Sequence, residues 1–208
     1  MTRIYLVRHG QTAWNVTETF RGRTDVPLDE TGLREAEGAG GFFRGIEVHA
    51  IYASPLARAL QTAWQVAKVV QHEVQPHPGL IDMSFGTWEG RSLEEVREKD
   101  PERFRQWRES PHLLHVPGGE TLDEVRDRAM GAIEGMIQTH PDGTVVLVSH
   151  RVVNKVVLCA VLGLDNSHFW QLGQDSTAIN LVEHRKGRFS LLLLNETCHL
   201  KDLRTPKT

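Results

Sequence analysis

Apolar residues recur along this chain in two alternating rhythms. Compact runs at Arg3–Val7, Ala50–Ala53 and Thr144–Val148 have the length and β-branched content of buried strands, and Glu73–Gln75 reads as a short edge strand. Between them the apolar positions fall at helical spacing. Leu33, Ala36, Ala39 and Phe43 form one stripe, with Thr31 as the predicted cap; Leu56, Ala59, Leu60, Ala63, Val66, Ala67 and Val70 form a second after Ser54-Pro55, read as a cap with proline at the first helical position. A third stripe runs through Leu122, Val125, Ala129, Ile133, Met136 and Ile137 and ends at His140-Pro141-Asp142-Gly143, and a fourth helix is predicted over Val152–Leu162. Two late strands, Ala178–Glu183 and Phe189–Leu194, flank Lys186-Gly187, a predicted hairpin turn. Helices between successive strands predict an α/β fold, a three-layer α/β/α sandwich with a mostly parallel sheet and an antiparallel addition near the end.

Residues 79–120 break this rhythm. They are rich in Trp, Pro, Gly and charge, with short helices expected near Leu93–Lys99 and Pro101–Trp107. Ser92 before Glu95 and Thr121 before Glu124 have capping-box spacing. The stretch is expected to be a small helical lid inserted at the carboxyl edge of the sheet, within a single domain spanning residues 1–208.

Composition narrows the function classes. The formal net charge is -3 with both signs interspersed, so the basic face that nucleic acid or an anionic membrane requires is missing. No apolar run reaches membrane-spanning length and the first strand begins at once, so a cytoplasmic protein without a signal peptide is expected. The 2 cysteines, Cys159 and Cys198, make no disulfide framework, and the 11 histidines show no His-x-x-x-His or compact Cys/His spacing. Neither a metal nor a cofactor is expected.

The chemistry gathers where strands end. Arg3–Val7 runs into Arg8-His9-Gly10-Gln11-Thr12, and Thr144–Val148 runs into Ser149-His150-Arg151. Open α/β sheets bind ligands at the carboxyl ends of their strands, and free N–H groups at a following helix start favour an anion. A histidine held at a strand end can attack phosphorus, and a planar guanidinium makes bidentate contacts with phosphate. Arg8 and Arg58 are the candidate guanidiniums, and either His9 or His150 can be the nucleophile while the other supplies charge. Asp82 and Glu89 are the candidate general acids. Asn15 and Thr12 can donate near the helix start or simply cap it, and Glu120 can serve the loop. Trp14, Trp88, Trp107 and Trp170 either line a pocket or fill the core.

The motifs taken together resemble the histidine phosphatase superfamily in its phosphoglycerate-mutase-like branch. Arg8-His9-Gly10-Gln11-Thr12 with Trp14-Asn15, Gly22, Pro27-Leu28 and Gly32-Leu33 is similar to the family's opening, and Ser54-Pro55-Leu56-Ala57-Arg58-Ala59 with Gln61-Thr62-Ala63 to its second block. Asp82 with Gly86-Thr87-Trp88-Glu89-Gly90 resembles the acid-bearing block, Pro117–Thr121 the turn before the long helix, and Val148-Ser149-His150 the last block.

The resemblance implies that His9 accepts the phosphoryl group, that Arg8, Arg58 and His150 surround it with a contact from Asn15, and that Asp82 is the general acid, one methylene shorter than the usual glutamate. It leaves Glu89 a structural role. Arg21 and Gly22 stand where members approach the phosphate, Arg21 replacing a neutral side chain, and Arg151 stands where glycine is common. The C-terminal half, through Phe169-Trp170, Gln174-Asp175 and Asn195–Leu200, is similar to metal-independent phosphoserine phosphatases, whose substrate-holding histidine matches His199. Phe85 replaces a second substrate-contacting histidine, which admits a more apolar or larger alcohol.

The implied activity is metal-independent hydrolysis of a phosphomonoester on a small phosphorylated metabolite, with phosphoserine as one candidate. Phosphoglycerate mutase, α-ribazole-phosphate phosphatase and a phosphate-binding scaffold are the alternatives. Association through a sheet edge or the lid surface would give a homodimer.

Overall fold

The structure, a computed structural model, describes residues 1–201 and 203. Its elements run β1 (Thr2–Arg8), α1 (Ala13–Val16), α2 (Glu30–Phe42), β2 (Ala50–Ala53), α3 (Ala57–Val70), β3 (Val74–Pro76), α4 (Leu93–Lys99), α5 (Pro101–Glu109), α6 (Leu122–Thr139), β4 (Thr144–Ser149), α7 (Arg151–Val161), β5 (Ile179–Arg185) and β6 (Arg188–Glu196). One mixed sheet in the order β3-β2-β4-β1-β5-β6 carries them. Its first four strands are parallel, and β5 and β6 add antiparallel at the far edge.

Both faces of the central strands are buried, which explains their unbroken apolar runs. Ile4 and Leu6 of β1 and Val145 and Leu147 of β4 point into a core shared with α6 and α7. Tyr5, Val7, Val146 and Val148 point into the opposite core, with Phe43, Ala59, Ala63 and Val66 from α2, α3 and their flanks. The three layers are therefore sheet, α2–α3 on one side and α6–α7 on the other.

The helix starts differ from expectation in two places. Asp29, not Thr31, caps α2: its side chain accepts from the Gly32 amide at 2.8 Å, so the helix begins earlier and Thr31 falls inside the first turn. α3 starts at Ala57 rather than at Pro55, because the Asp25 carboxylate reaches across to accept the Ala57 amide at 2.7 Å. The Ser92–Glu95 and Thr121–Glu124 capping boxes both form. Lys186 and Gly187 both take positive φ, 50° and 75°, the geometry of a two-residue turn matched to strand twist.

Residues 79–120 pack onto the α6–α7 core instead of standing apart. Trp88, Val96, Leu114 and Val116 are buried there, and an edge-to-face aromatic chain links Phe20 to Phe85, Phe85 to Trp107 and Trp107 to Trp170 at centroid spacings of 5.1, 5.5 and 5.1 Å. Gly86 pins this segment. At φ +51° its Cα lies so close to the turn after Val116 that a Cβ would stand 2.2 Å from the Pro117 carbonyl oxygen. Gly86→Ala is therefore expected to lower the unfolding free energy by about 2 kcal/mol or more, measured by denaturant titration, through combined backbone strain and overlap; a loss within about 0.5 kcal/mol would show that the turn yields freely.

Candidate active site

Parallel pairing of β1 with β4 sets Val7 against Val148 and Arg8 against Ser149, so His9 and His150 leave adjacent strands side by side. The His9 amide donates to the Ser149 carbonyl at 3.0 Å, and the two imidazole centroids lie 5.1 Å apart. His9 is 0% exposed. Its Nδ1 lies 2.7 Å from the Gly10 carbonyl oxygen. A carbonyl can only accept, so Nδ1 carries the proton and Nε2 keeps its lone pair. That Nε2 is buried and has no hydrogen-bond partner among the described residues. Gly10 is required here, because a Cβ would come within 2.5 Å of the Gly32 carbonyl oxygen.

His150 directs Nε2 at the Ser54 hydroxyl, 2.7 Å away, and Nδ1 at Asp82 Oδ2, 3.4 Å away. Arg58 is 0% exposed and donates to the carbonyls of Thr24 at 2.9 Å and Gly22 at 2.8 Å and to Asp82 Oδ2 at 3.1 Å. Arg8 donates to the Gln174 carbonyl at 2.7 Å. Its Nε, like those of Arg21 and Arg58, is buried without a partner among the described residues. Asp82 completes the group, with Oδ1 accepting the Met83 amide at 2.9 Å. Arg128 fixes the chain at this point: its Nη2 donates to the Asp82 carbonyl at 3.1 Å and to Glu120, its Nε donates to Glu120, and its Nη1 donates to the Gly79 carbonyl.

The remaining candidates separate clearly. Asn15 Oδ1 accepts both the Thr12 amide and the Thr12 hydroxyl at 2.9 Å, leaving its amide nitrogen to donate. Arg21 extends toward the same Thr12 hydroxyl at 3.4 Å. Gly22 contributes its carbonyl to Arg58 and takes φ +52° beside the Glu89 carboxylate. Glu89 Oε1 accepts from the Ser84 hydroxyl at 3.0 Å and the Phe85 amide at 2.9 Å, so it ties the loop, whereas Asp82 faces the histidines. His199 lies against Thr177, with Nε2 3.1 Å from the threonine hydroxyl, and the Thr177 amide in turn donates to the His9 carbonyl at 3.4 Å. A cavity of about 270 Å³ opens beside Arg21 and Asp82, walled by Phe85, Trp107, Phe169 and Trp170. Trp88 is buried in the core and Trp14 is half-buried outside this wall.

Burial dominates the electrostatics. It holds the His9 pKa well below its ordinary value, helped by His150, Arg58, Arg21 and Arg8, and it does the same for His150, helped by Arg58, Arg21, Arg128 and Arg8. Burial with the charges of Arg21 and Arg151 pulls Arg8 down to about 9, and burial pulls Arg21 down to about 10 against the opposing effect of Asp82. Three guanidiniums (Arg8, Arg21 and Arg58) thus converge on two neutral imidazoles and one carboxylate. The excess of positive charge suits a dianion, and the free Nε2 suits attack on it.

Such a nest at the carboxyl edge of a parallel sheet defines an α/β enzyme acting on phosphate esters. The chain belongs to the histidine phosphatase superfamily (branch 1), whose model matches residues 4–197, and it is a hydrolase of the phosphoglycerate-mutase-like type. It is 38% identical over 200 residues to Phosphoserine phosphatase 1 of Hydrogenobacter thermophilus, covering 96% of this chain and 95% of that protein. Among solved structures, Bacillus stearothermophilus YhfR superposes with a TM-score of 0.93 at 32% identity, covering 97% of this chain and 100% of that one. A phosphoserine phosphatase variant of Entamoeba histolytica in complex with phosphoserine superposes with a TM-score of 0.87 at 27% identity, covering 96% of this chain and 100% of that one. Among the described residues no helix is long and apolar enough to cross a membrane, and no group of three or more His, Cys, Asp or Glu is placed to hold a metal ion.

The neutral histidines make stability depend on pH. In the unfolded chain each takes up a proton as the pH falls through about 6.5, whereas in the fold both resist protonation. The unfolded state then binds more protons, so stability falls on acidification from about pH 7 toward pH 5. Melting temperatures across that range are expected to decline, and to decline less steeply in His9→Ala; parallel profiles for the two proteins would contradict the burial of a neutral His9.

Proposed function

We propose that the protein hydrolyses small phosphomonoesters in two steps through a phosphohistidine at His9 Nε2, without a metal ion. The observation that carries this reading is the orientation of His9, with Nδ1–H committed to the Gly10 carbonyl and Nε2 left bare among Arg8, Arg21, Arg58 and His150. In the first step Nε2 forms a bond to phosphorus, the ester P–O bond breaks, and Asp82 gives its proton to the leaving oxygen. The Gly10 carbonyl takes up the positive character that develops on the ring. In the second step water attacks phosphorus, its proton passes to Asp82, and the P–N bond breaks to restore the His9 lone pair.

The three arginines supply the positive charge that phosphoryl transfer needs, which is the chemical argument for metal independence. Asp82 is paired with Arg58 at 3.1 Å in the unliganded site. An arriving phosphate competes for that guanidinium and places negative charge beside the carboxylate, which favours its protonated, acid form. Residues 79–120 act as a cap that contributes Asp82 and two aromatic side chains of the cavity wall, Phe85 and Trp107. Asn15 donates to a phosphate oxygen through its amide nitrogen, and His199 acts through Thr177. Phosphoserine is the first substrate to test, because the relative with 38% identity bears the name of a phosphoserine phosphatase. The aromatic wall and Phe85 also accommodate a larger, more apolar alcohol.

The test is phosphate release in EDTA from phosphoserine, phosphoglycerates, sugar phosphates, α-ribazole phosphate and p-nitrophenyl phosphate. Release by the wild type that vanishes in His9→Ala is expected, and no release from folded wild type would overturn the reading. Asp82→Asn separates the acid role from binding. Its kcat/KM, which reports transfer to His9 and not the later hydrolysis, is expected to fall by about 10²–10³-fold on alkyl esters and far less on p-nitrophenyl phosphate, whose leaving group needs no proton. Equal losses on both would remove Asp82 as the acid.

A further inference from the structure

We infer that Arg108 and Arg151, both stacked on Trp170, form a second anion subsite that receives a carboxylate or further phosphate carried on the alcohol part of the substrate. The inference rests on the phosphomonoesterase reading and adds what the rest of the substrate carries. Arg108 projects from α5 and Arg151 is the first residue of α7, directly after His150. Their guanidinium carbons lie 5.7 and 5.5 Å from the Trp170 ring centroid, and both side chains line the cavity beside Asp82. The indole is itself held in place, donating through Nε1 to the Trp107 carbonyl at 2.7 Å. Cation–π stacking presents each guanidinium edge for in-plane hydrogen bonds, the geometry that matches a planar carboxylate or a phosphate.

The charge balance points the same way. Each guanidinium lies over the indole without a hydrogen bond to the described residues, and the one carboxylate charge that acts on Arg151 is that of Asp175, outside the cavity wall. A third cation sits on the same ring, since Lys155, only 2% exposed, holds its Nζ 4.5 Å from the Trp170 centroid and 4.6 Å from that of Phe169. Burial pulls the Lys155 pKa down to about 7, and the positive charges of Arg151 and Arg8 add to that effect. Of the two carboxylates on the cavity wall, Asp82 is paired with Arg58 and Glu18 has no ion pair with either Arg108 or Arg151. An anionic group on the substrate would relieve this repulsion. Phe20, Phe85, Leu93, Trp107 and Phe169 supply the remaining wall, so an apolar body joins the two anionic ends. The expected ligand is a phosphomonoester whose alcohol has an aliphatic or aromatic middle and an anionic terminus.

Matched esters test this directly. 4-(Phosphooxymethyl)benzoate and its neutral benzamide share one leaving-group chemistry, and the corresponding benzylic phosphonate tests a terminal phosphate-like group. Wild type is expected to prefer either anionic ester over the benzamide by about tenfold or more in kcat/KM, the scale of a charge-assisted contact. Arg151→Gln and Arg108→Gln are each expected to cut that ratio by about tenfold, and Arg151→Lys to recover part of it. Because the two arginines stand on different helices, a folding defect in one variant leaves the other to decide. A wild-type ratio near one, or variants that slow all esters equally, would overturn the subsite while leaving the phosphatase intact. Failure to release phosphate from any ester, p-nitrophenyl phosphate included, would overturn the phosphatase reading and the subsite with it.

Discussion

The parallel pairing of β1 with β4, buried on both faces, sets the geometry on which the site depends. Side chains alternate faces along a strand, so a slip of one residue would exchange the two cores and separate His9 from His150. The chosen register puts Ile4, Leu6, Val145 and Leu147 under α6 and α7, and Tyr5, Val7, Val146 and Val148 under α2 and α3. The same register ends both strands together, which is why two histidines distant in sequence have centroids 5.1 Å apart. Packing and chemistry are therefore specified by one set of hydrogen bonds.

That arrangement carries an electrostatic cost. Burying Arg8, Arg21 and Arg58 around one carboxylate leaves cationic charge poorly solvated, and it keeps two histidines neutral below their usual range. The backbone offsets part of this. Carbonyls of Gly22, Thr24 and Gln174 accept from the guanidiniums, and Gly10 accepts from His9. The Nε atoms of the three arginines and Nε2 of His9 stay buried without hydrogen-bond partners among the described residues, which leaves donors and a lone pair for the phosphate dianion of the proposed reaction. The unmet demand for an anion is thus directional as well as electrostatic, and it extends along the cavity to the cations around Trp170.

Much of this was legible in the residues. The strand runs and helical stripes mark every major element because each is amphipathic or doubly buried, and α4 falls on Leu93–Lys99 as its capping box predicts. Arg8, His9, Arg58 and His150 could be chosen because strand ends and helix starts are local features that the topology then gathers. Capping of α2 and α3 was harder to read. Asp25 caps α3 from a loop far away in sequence, and Ser54, read as a cap, instead accepts the Leu56 amide at 3.3 Å and meets His150. Arg128 and Gln174 were hidden because one sits on an exposed-looking helix position and the other acts through its main-chain carbonyl, which no side-chain pattern encodes. From the residues alone Asp82 and Glu89 stay alternatives, and it is the family resemblance that assigns the acid to Asp82. Both lie in one loop, and only the fold shows Glu89 turned to the Ser84 hydroxyl and the Phe85 amide.

The central claim is that His9 Nε2 takes the phosphoryl group, and Asp82→Asn offers the way to catch it. With p-nitrophenyl phosphate the first step needs no acid, while water attack on the intermediate loses its base, so the phosphoenzyme should accumulate. Acid-labile, alkali-stable label would be mapped by peptide mass spectrometry after rapid alkaline quenching. The account predicts close to one phosphoryl group per chain, on His9. Label on His150, or continued turnover with no histidine ever modified, would contradict it.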